Sequence, residues 1–130
     1  MGIKKKRKHT VMNKLEKIFE KQKELQDRLN IANRIKDPAM KQQYINQMIL
    51  ALHEEAVEIM RESAYKNPDF VPFGWKKNQI FNEDLFKEEL VDMLHFFVNL
   101  CLVVNMSPDE LFNRYCNKNK ENHTRQENNY

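Results

Sequence analysis

Two short acidic runs carry the strongest chemical signal in this sequence: His53-Glu54-Glu55-Ala56-Val57-Glu58 and Glu88-Glu89-Leu90-Val91-Asp92. In each, two carboxylates stand three residues apart, Glu55 with Glu58 and Glu89 with Asp92. On a helix that spacing puts both on one face, a turn apart. Facing helices then present all four to a common point. Like charges so gathered repel, so the arrangement makes sense around a cation. Hard oxygen ligands with coordination positions left open suit Mg2+, which keeps room for phosphate oxygens and water. A single Glu-x-x-Glu is usually a solvated helix face. Two such pairs beside strongly apolar stripes favour a metal site.

The elements that must position these residues read as helices. The first runs from about Asn13 to Ile31, with Leu15, Ile18, Phe19, Gln22, Leu25 and Leu29 on one face. Gln22 interrupts that apolar stripe and Gln26 lies one turn further on, so both need hydrogen-bond partners. Asp37-Pro38 opens a second helix that reaches about Tyr65. Its apolar face holds Ile45, Met48, Ile49, Leu52, Ala56, Ile59 and Ser63, with Glu55, Glu58 and Glu62 on the border. Asn67 to Asn82 reads as a loop with Pro68, Pro72, Gly74 and the only tryptophan, Trp75. An aromatic residue in a long loop points to binding. A third helix, about Glu83 to Val104, is apolar nearly all round from Met93 except at His95 and Asn99. It reads as buried in a bundle or between subunits. His95 reads as a hydrogen-bonded residue of the core, or one that supports the metal ligands from behind, rather than as a ligand itself. Ser107-Pro108-Asp109-Glu110 starts the last helix with a capping box.

Composition agrees with an all-α chain. With 2 Gly and 4 Pro in 130 residues, helices are favoured over strands, and one domain is expected. Charged residues make up 32%, and no apolar run approaches the ~20 needed to span a bilayer. Cys101 and Cys116 do not suggest a disulfide framework, and no secretory segment opens the chain, so a cytoplasmic protein is expected. The net charge is +3, but Lys4, Lys5, Lys6, Arg7 and Lys8 supply five positive charges, leaving 3 − 5 = −2 elsewhere. Residues 1–11 are therefore read as a disordered basic tail and 12–130 as the folded domain. The tail could touch nucleic-acid phosphates weakly and without sequence preference.

Glu-Glu-x-x-Glu followed by Glu-x-x-Asp on the next helix resembles the all-α, dimeric dUTPases of the MazG-like pyrophosphohydrolase superfamily. The likeness extends to three other segments and is nearest to phage members. Phe19 to Asp27 resembles the family's first helix, Gly74-Trp75-Lys76 its tryptophan loop, and Lys118 to Gln126 with Tyr130 its terminal segment. Gln26 stands where these enzymes often carry Asn, and the stretch between Glu58 and Glu89 is longer than in MazG-like chains.

The resemblance implies a compact four- to five-helix bundle that forms a homodimer and hydrolyses a deoxynucleoside triphosphate, dUTP above others, to the monophosphate and pyrophosphate. It implies Mg2+ held by Glu55, Glu58, Glu89 and Asp92, with Glu55 or Glu58 orienting or deprotonating the attacking water. It further implies phosphate contacts from Lys118, Asn122 and Arg125, base contacts from Gln22 and Gln26, and a pocket wall at Trp75 and Tyr130. The nearest rival is dCTP or a broader nucleotide range on the same scaffold. A ferritin-like di-iron bundle would need two Glu-x-x-His elements, and only Asp92-x-x-His95 comes near one. A non-enzymatic nucleic-acid-binding module would rest on the basic tail alone.

Overall fold

A computed structural model describes residues 11–63 and 81–128. Its described residues form five helices and no strand: α1 Lys14–Arg28, α2 Ile31–Arg34, α3 Pro38–Glu62, α4 Glu83–Val103 and α5 Pro108–Glu127. This is the all-α fold expected. No single described helix is long and apolar enough to cross a membrane.

The helix ends follow from local chemistry. Asn13 caps α1 in a capping box, its side chain accepting from the Glu16 backbone N–H at 2.9 Å while Glu16 reaches back to the Asn13 backbone. Asn82 caps α4 at the Leu85 N–H, and Ser107 caps α5 at the Glu110 N–H. The reciprocal half of the box expected at Ser107 is not made, because the Glu110 carboxylate turns to Arg114. The first helix also stops three residues earlier than its periodicity suggests. Asn30 adopts the left-handed region at φ 55°, and the short α2 follows. Asn105, at φ 56°, ends α4 the same way. There the Met106 N–H reaches the Cys101 carbonyl and the Asn105 N–H the Leu102 carbonyl, a Schellman closure with asparagine in the usual glycine position.

The principal pairing is α3 against α4, with α1 laid along α4 and the start of α5 closing onto α1. Phe19, Val98 and Cys101 form one core cluster, flanked by Leu15, Leu102, Met106 and Leu111. Ile31, Tyr44 and Val103 form a second, which docks α2 between α3 and α4. The Arg34 guanidinium covers the Tyr44 ring at 5.5 Å and donates to Gln47 at 2.6 Å.

The stripe that α1 buries differs from the one its apolar residues suggest. Phe19, Gln22 and Gln26 are buried, whereas Ile18, Leu25 and Leu29 are exposed. On α4 the corresponding outer residues Leu90, Val91, Leu94 and Phe97 are exposed too. Ile18, Leu25, Val91 and Leu94 line an apolar groove of about 390 Å³ between the two helices.

Candidate metal centre

Glu55 and Glu58 project from successive turns of α3 toward Glu89 on α4, and one oxygen of each lies within 4.8 Å of the other two. All three side chains are half-buried. The α3–α4 pairing forces this approach, because the carboxylates sit at the margin of the apolar seam that joins the helices. Glu55 Oε2 and Glu89 Oε2 are sealed from solvent and accept no hydrogen bond. A buried carboxylate oxygen without a donor is costly, and such orphans are rare in folded proteins.

The charges respond to one another. Glu89 is pushed from 4.5 up to about 7, mostly by the Glu58 carboxylate against it, then by burial and by Glu55. Glu55 is raised too, first by burial, with the charges of Glu58 and Asp92 adding and contact with Glu89 partly offsetting. Three acidic oxygens at this separation, two of them orphaned, fit a hard divalent cation as the missing partner. Asp92, one turn beyond Glu89, is exposed and lies outside the group of three, though its charge is felt at Glu55.

The two glutamines of α1 end in a polar network inside the α1–α4 seam. Gln22 Nε2 donates to Asn99 Oδ1 at 2.6 Å, and Gln26 Nε2 donates to the same oxygen at 3.1 Å and to the Asn99 carbonyl at 3.3 Å. Gln22 Oε1 lies 2.8 Å from His95 Nδ1, so that ring nitrogen is the donor. Asn99 Nδ2 in turn points at Met48 Sδ, 3.7 Å away on α3. His95 is exposed rather than a core residue. Asn99 was visible in the sequence as an interruption of an apolar run. That it would bind both glutamines was not, because the partners lie 77 and 73 residues apart.

Lys118, Asn122 and Arg125 all lie on the exposed outer part of α5. Lys118 pairs with Glu121 on its own helix at 3.7 Å. The structure therefore gathers Glu55, Glu58 and Glu89, sets Asp92 beside them, joins Gln22 and Gln26 of α1 at Asn99 on α4, and leaves the α5 residues on the surface. Trp75, Tyr130 and residues 1–10 of the basic tail lie outside the described residues.

The sequence profile of a family described as dUTPase matches residues 14–108 and again 97–130. A protein named dCTP pyrophosphatase from Enterobacteria phage LZ5 is 46% identical over 44 residues, which are 34% of this chain and 26% of that protein. The protein of the same name from Enterobacteria phage T4 is equally similar, 46% over 44 residues, with the same coverage of each chain. The match thus spans about a quarter of these relatives' length (26%). No solved structure matches the chain.

Proposed function

The chain belongs to the dUTPase family, and from that premise we propose that it hydrolyses dUTP to dUMP and pyrophosphate with Mg2+ as cofactor. The observation that carries the reading is the convergence of Glu55, Glu58 and Glu89 with two oxygens that no donor satisfies. Glu55, Glu58, Glu89 and Asp92 would hold the metal. When bound, Mg2+ offsets phosphate charge and lowers the pKa of a water. Asp92 is the most accessible of the four and would join the cluster through the side chain's own freedom on an exposed helix turn.

The remaining roles belong to the chain's own side chains. Glu55 or Glu58 orients the water and accepts its proton; for Glu55 the task suits a carboxylate whose ionisation is already disfavoured by burial and by its acidic neighbours. Arg125 and Lys118 meet phosphate oxygens, the guanidinium bidentately, and Asn122 adds a neutral donor. Gln22 and Gln26 hydrogen-bond the base, with Trp75 and Tyr130 walling the pocket. Residues 12–130 act as one catalytic domain, and 1–11 as an accessory basic tail able to touch nucleic-acid phosphates only weakly.

We propose a homodimer for a separate reason. Ile18, Leu25, Val91 and Leu94 line one apolar groove between α1 and α4, Phe97 of α4 is exposed as well, and a second copy would cover that groove. Such pairing could bring the exposed α5 of one chain toward the carboxylates of the other. A cytoplasmic location fits an enzyme that acts on the nucleotide pool.

A second reading, dCTP as substrate, is favoured by the name that both phage relatives carry. Measuring pyrophosphate release from dUTP, dCTP and the purine deoxynucleotides, with and without Mg2+, decides between them. Glu58→Gln is the control. Metal-independent release, or release undiminished in that variant, would overturn the metal-centre reading.

A further inference from the structure

We infer that Asn99 is the positioning residue that fixes the polarity of both base-facing glutamines, and so sets the base preference of the site. The inference rests on the proposed base contacts of Gln22 and Gln26, and it goes beyond them by naming what orients those amides.

An amide side chain presents a donor at one end and an acceptor at the other, and rotation by half a turn exchanges them. A glutamine can read a base only if that choice is fixed. Here Asn99 Oδ1 takes an N–H from each glutamine, at 2.6 Å from Gln22 and 3.1 Å from Gln26. Both NH2 groups are thereby turned inward to one acceptor. His95 Nδ1 holds the other end of Gln22 at 2.8 Å, so that amide is clamped from both sides. Gln26 is held at its nitrogen alone, with a second, longer bond to the Asn99 carbonyl at 3.3 Å. Gln26 Oε1 makes no hydrogen bond with any described residue and is left as an acceptor. Such an oxygen matches the imide N–H of uracil, whereas cytosine presents an unprotonated acceptor nitrogen at the same ring position.

Placement supports the link to the metal centre. Asp92, His95 and Asn99 follow one stripe of α4 at spacings of three and four. Asn99 thus sits seven residues beyond Asp92, about 10 Å along the helix axis. That span is comparable with the reach from the innermost phosphate of a nucleotide to its base edge. Both glutamines are at most 6% exposed, so an unmatched amide there cannot turn to bulk water.

Asn99→Leu removes the shared acceptor and lets the amides turn, whereas Asn99→Asp keeps an oxygen in the same position. The ratio of kcat/KM for dUTP and dCTP is measured with Mg2+ in the full chain. Binding of dUMP and dCMP is measured separately by calorimetry without metal. Asn99→Leu is expected to shrink the wild-type preference by roughly tenfold or more, since a hydrogen-bonded base edge carries that much discrimination. Asn99→Asp is expected to keep the preference. A role in stability alone would lower the melting temperature and leave the ratio unmoved. Asn99→Ala, with its high helix propensity, is read in the same way where Leu does not fold. An unchanged preference in the Leu or Ala variant overturns the inference while leaving the hydrolase reading intact. Base-selective monophosphate binding that is lost in these variants, in a protein that turns over no triphosphate, upholds the inference and overturns the hydrolase. A wild-type protein indifferent to the base in both assays overturns the inference together with base reading by the glutamines.

Discussion

Removing divalent metal from this protein is expected to leave it least stable at alkaline pH, and Mg2+ is expected to reverse that loss. Glu89 is raised from 4.5 to about 7 in the folded chain, with Glu58 as the leading cause. In the unfolded chain it returns to the ordinary carboxylate range. Between pH 4.5 and about 7 the folded protein therefore holds a proton that the unfolded chain has released. Folding is helped fully below that window and progressively less as pH rises through it, with no further loss from this group above it. The folding equilibrium changes by at most about tenfold per pH unit for one proton, and by less here because water screens part of the cluster. A cation that binds only the folded chain acts the opposite way. At a hundred times its Kd it adds about 2.7 kcal/mol, which raises Tm by roughly 8–13 °C in a domain of this size. Thermal melts followed by circular dichroism at pH 5 and pH 8, in EDTA or in Mg2+, measure both effects. Glu89→Gln is expected to flatten the pH dependence in EDTA and to remove most of the Mg2+ shift. If the EDTA-treated protein melted higher at pH 8 than at pH 5, or if Mg2+ moved wild type and Glu89→Gln equally, the cluster would not be the metal site.

Three other outcomes test other parts of the molecule. Phe19, 4% exposed in the α1–α4 core, is expected to cost about 3–5 kcal/mol when cut to alanine, read by urea unfolding. Leu94→Glu places a charge in the apolar groove between α1 and α4, and light scattering is expected to show a monomer where the wild-type chain forms the proposed homodimer. Arg125→Ala is expected to raise KM for the triphosphate at least tenfold while leaving the circular dichroism melt within about 1 °C, since its side chain is exposed and surface substitutions of this kind scarcely alter stability.

How far the sequence could be read depended on whether the deciding interaction was local. Asn13 and Ser107 mark helix starts because each side chain caps a backbone N–H three positions on. Pro38 marks one because its fixed φ suits the first helical position, although Asp37 before it makes no side-chain cap. The carboxylate pairs were legible for the same reason: three-residue spacing on a helix fixes a shared face. Their convergence across α3 and α4 followed from the apolar stripes beside them. Asp92 shows the limit of that argument, because a rotation of α4 by a fraction of a turn decides which of Glu89 and Asp92 points inward. The break at Asn30 was hidden because periodicity runs through it, and only the left-handed backbone there reveals the stop. The burial of Gln22 and Gln26 in preference to Leu25 and Leu29 was hidden more deeply. It is settled by Asn99 and His95 on α4, far off in the chain.

That preference has a consequence for the whole molecule. A helix with both an apolar and an amide stripe would ordinarily turn its leucines inward, since each buried leucine contributes about 1.5–3 kcal/mol. Here α1 turns its amides inward, which is tolerable because Asn99 and His95 hold both ends of Gln22 and Asn99 holds the nitrogen of Gln26. Leu25 stays 44% exposed and Leu29 63% exposed. The stabilisation forgone inside the chain remains available on the surface, where Ile18, Leu25, Val91 and Leu94 border the same two helices that hold the network. Gln22, His95 and Val98 line that groove as well. Whatever covers the groove therefore also packs against the back of the amide clamp. The proposed self-association and the polarity of the proposed base-contacting glutamines are thus tied through α1. A variant that separates the chains should loosen Gln22 from Asn99 and weaken base preference, without a single change among the carboxylates.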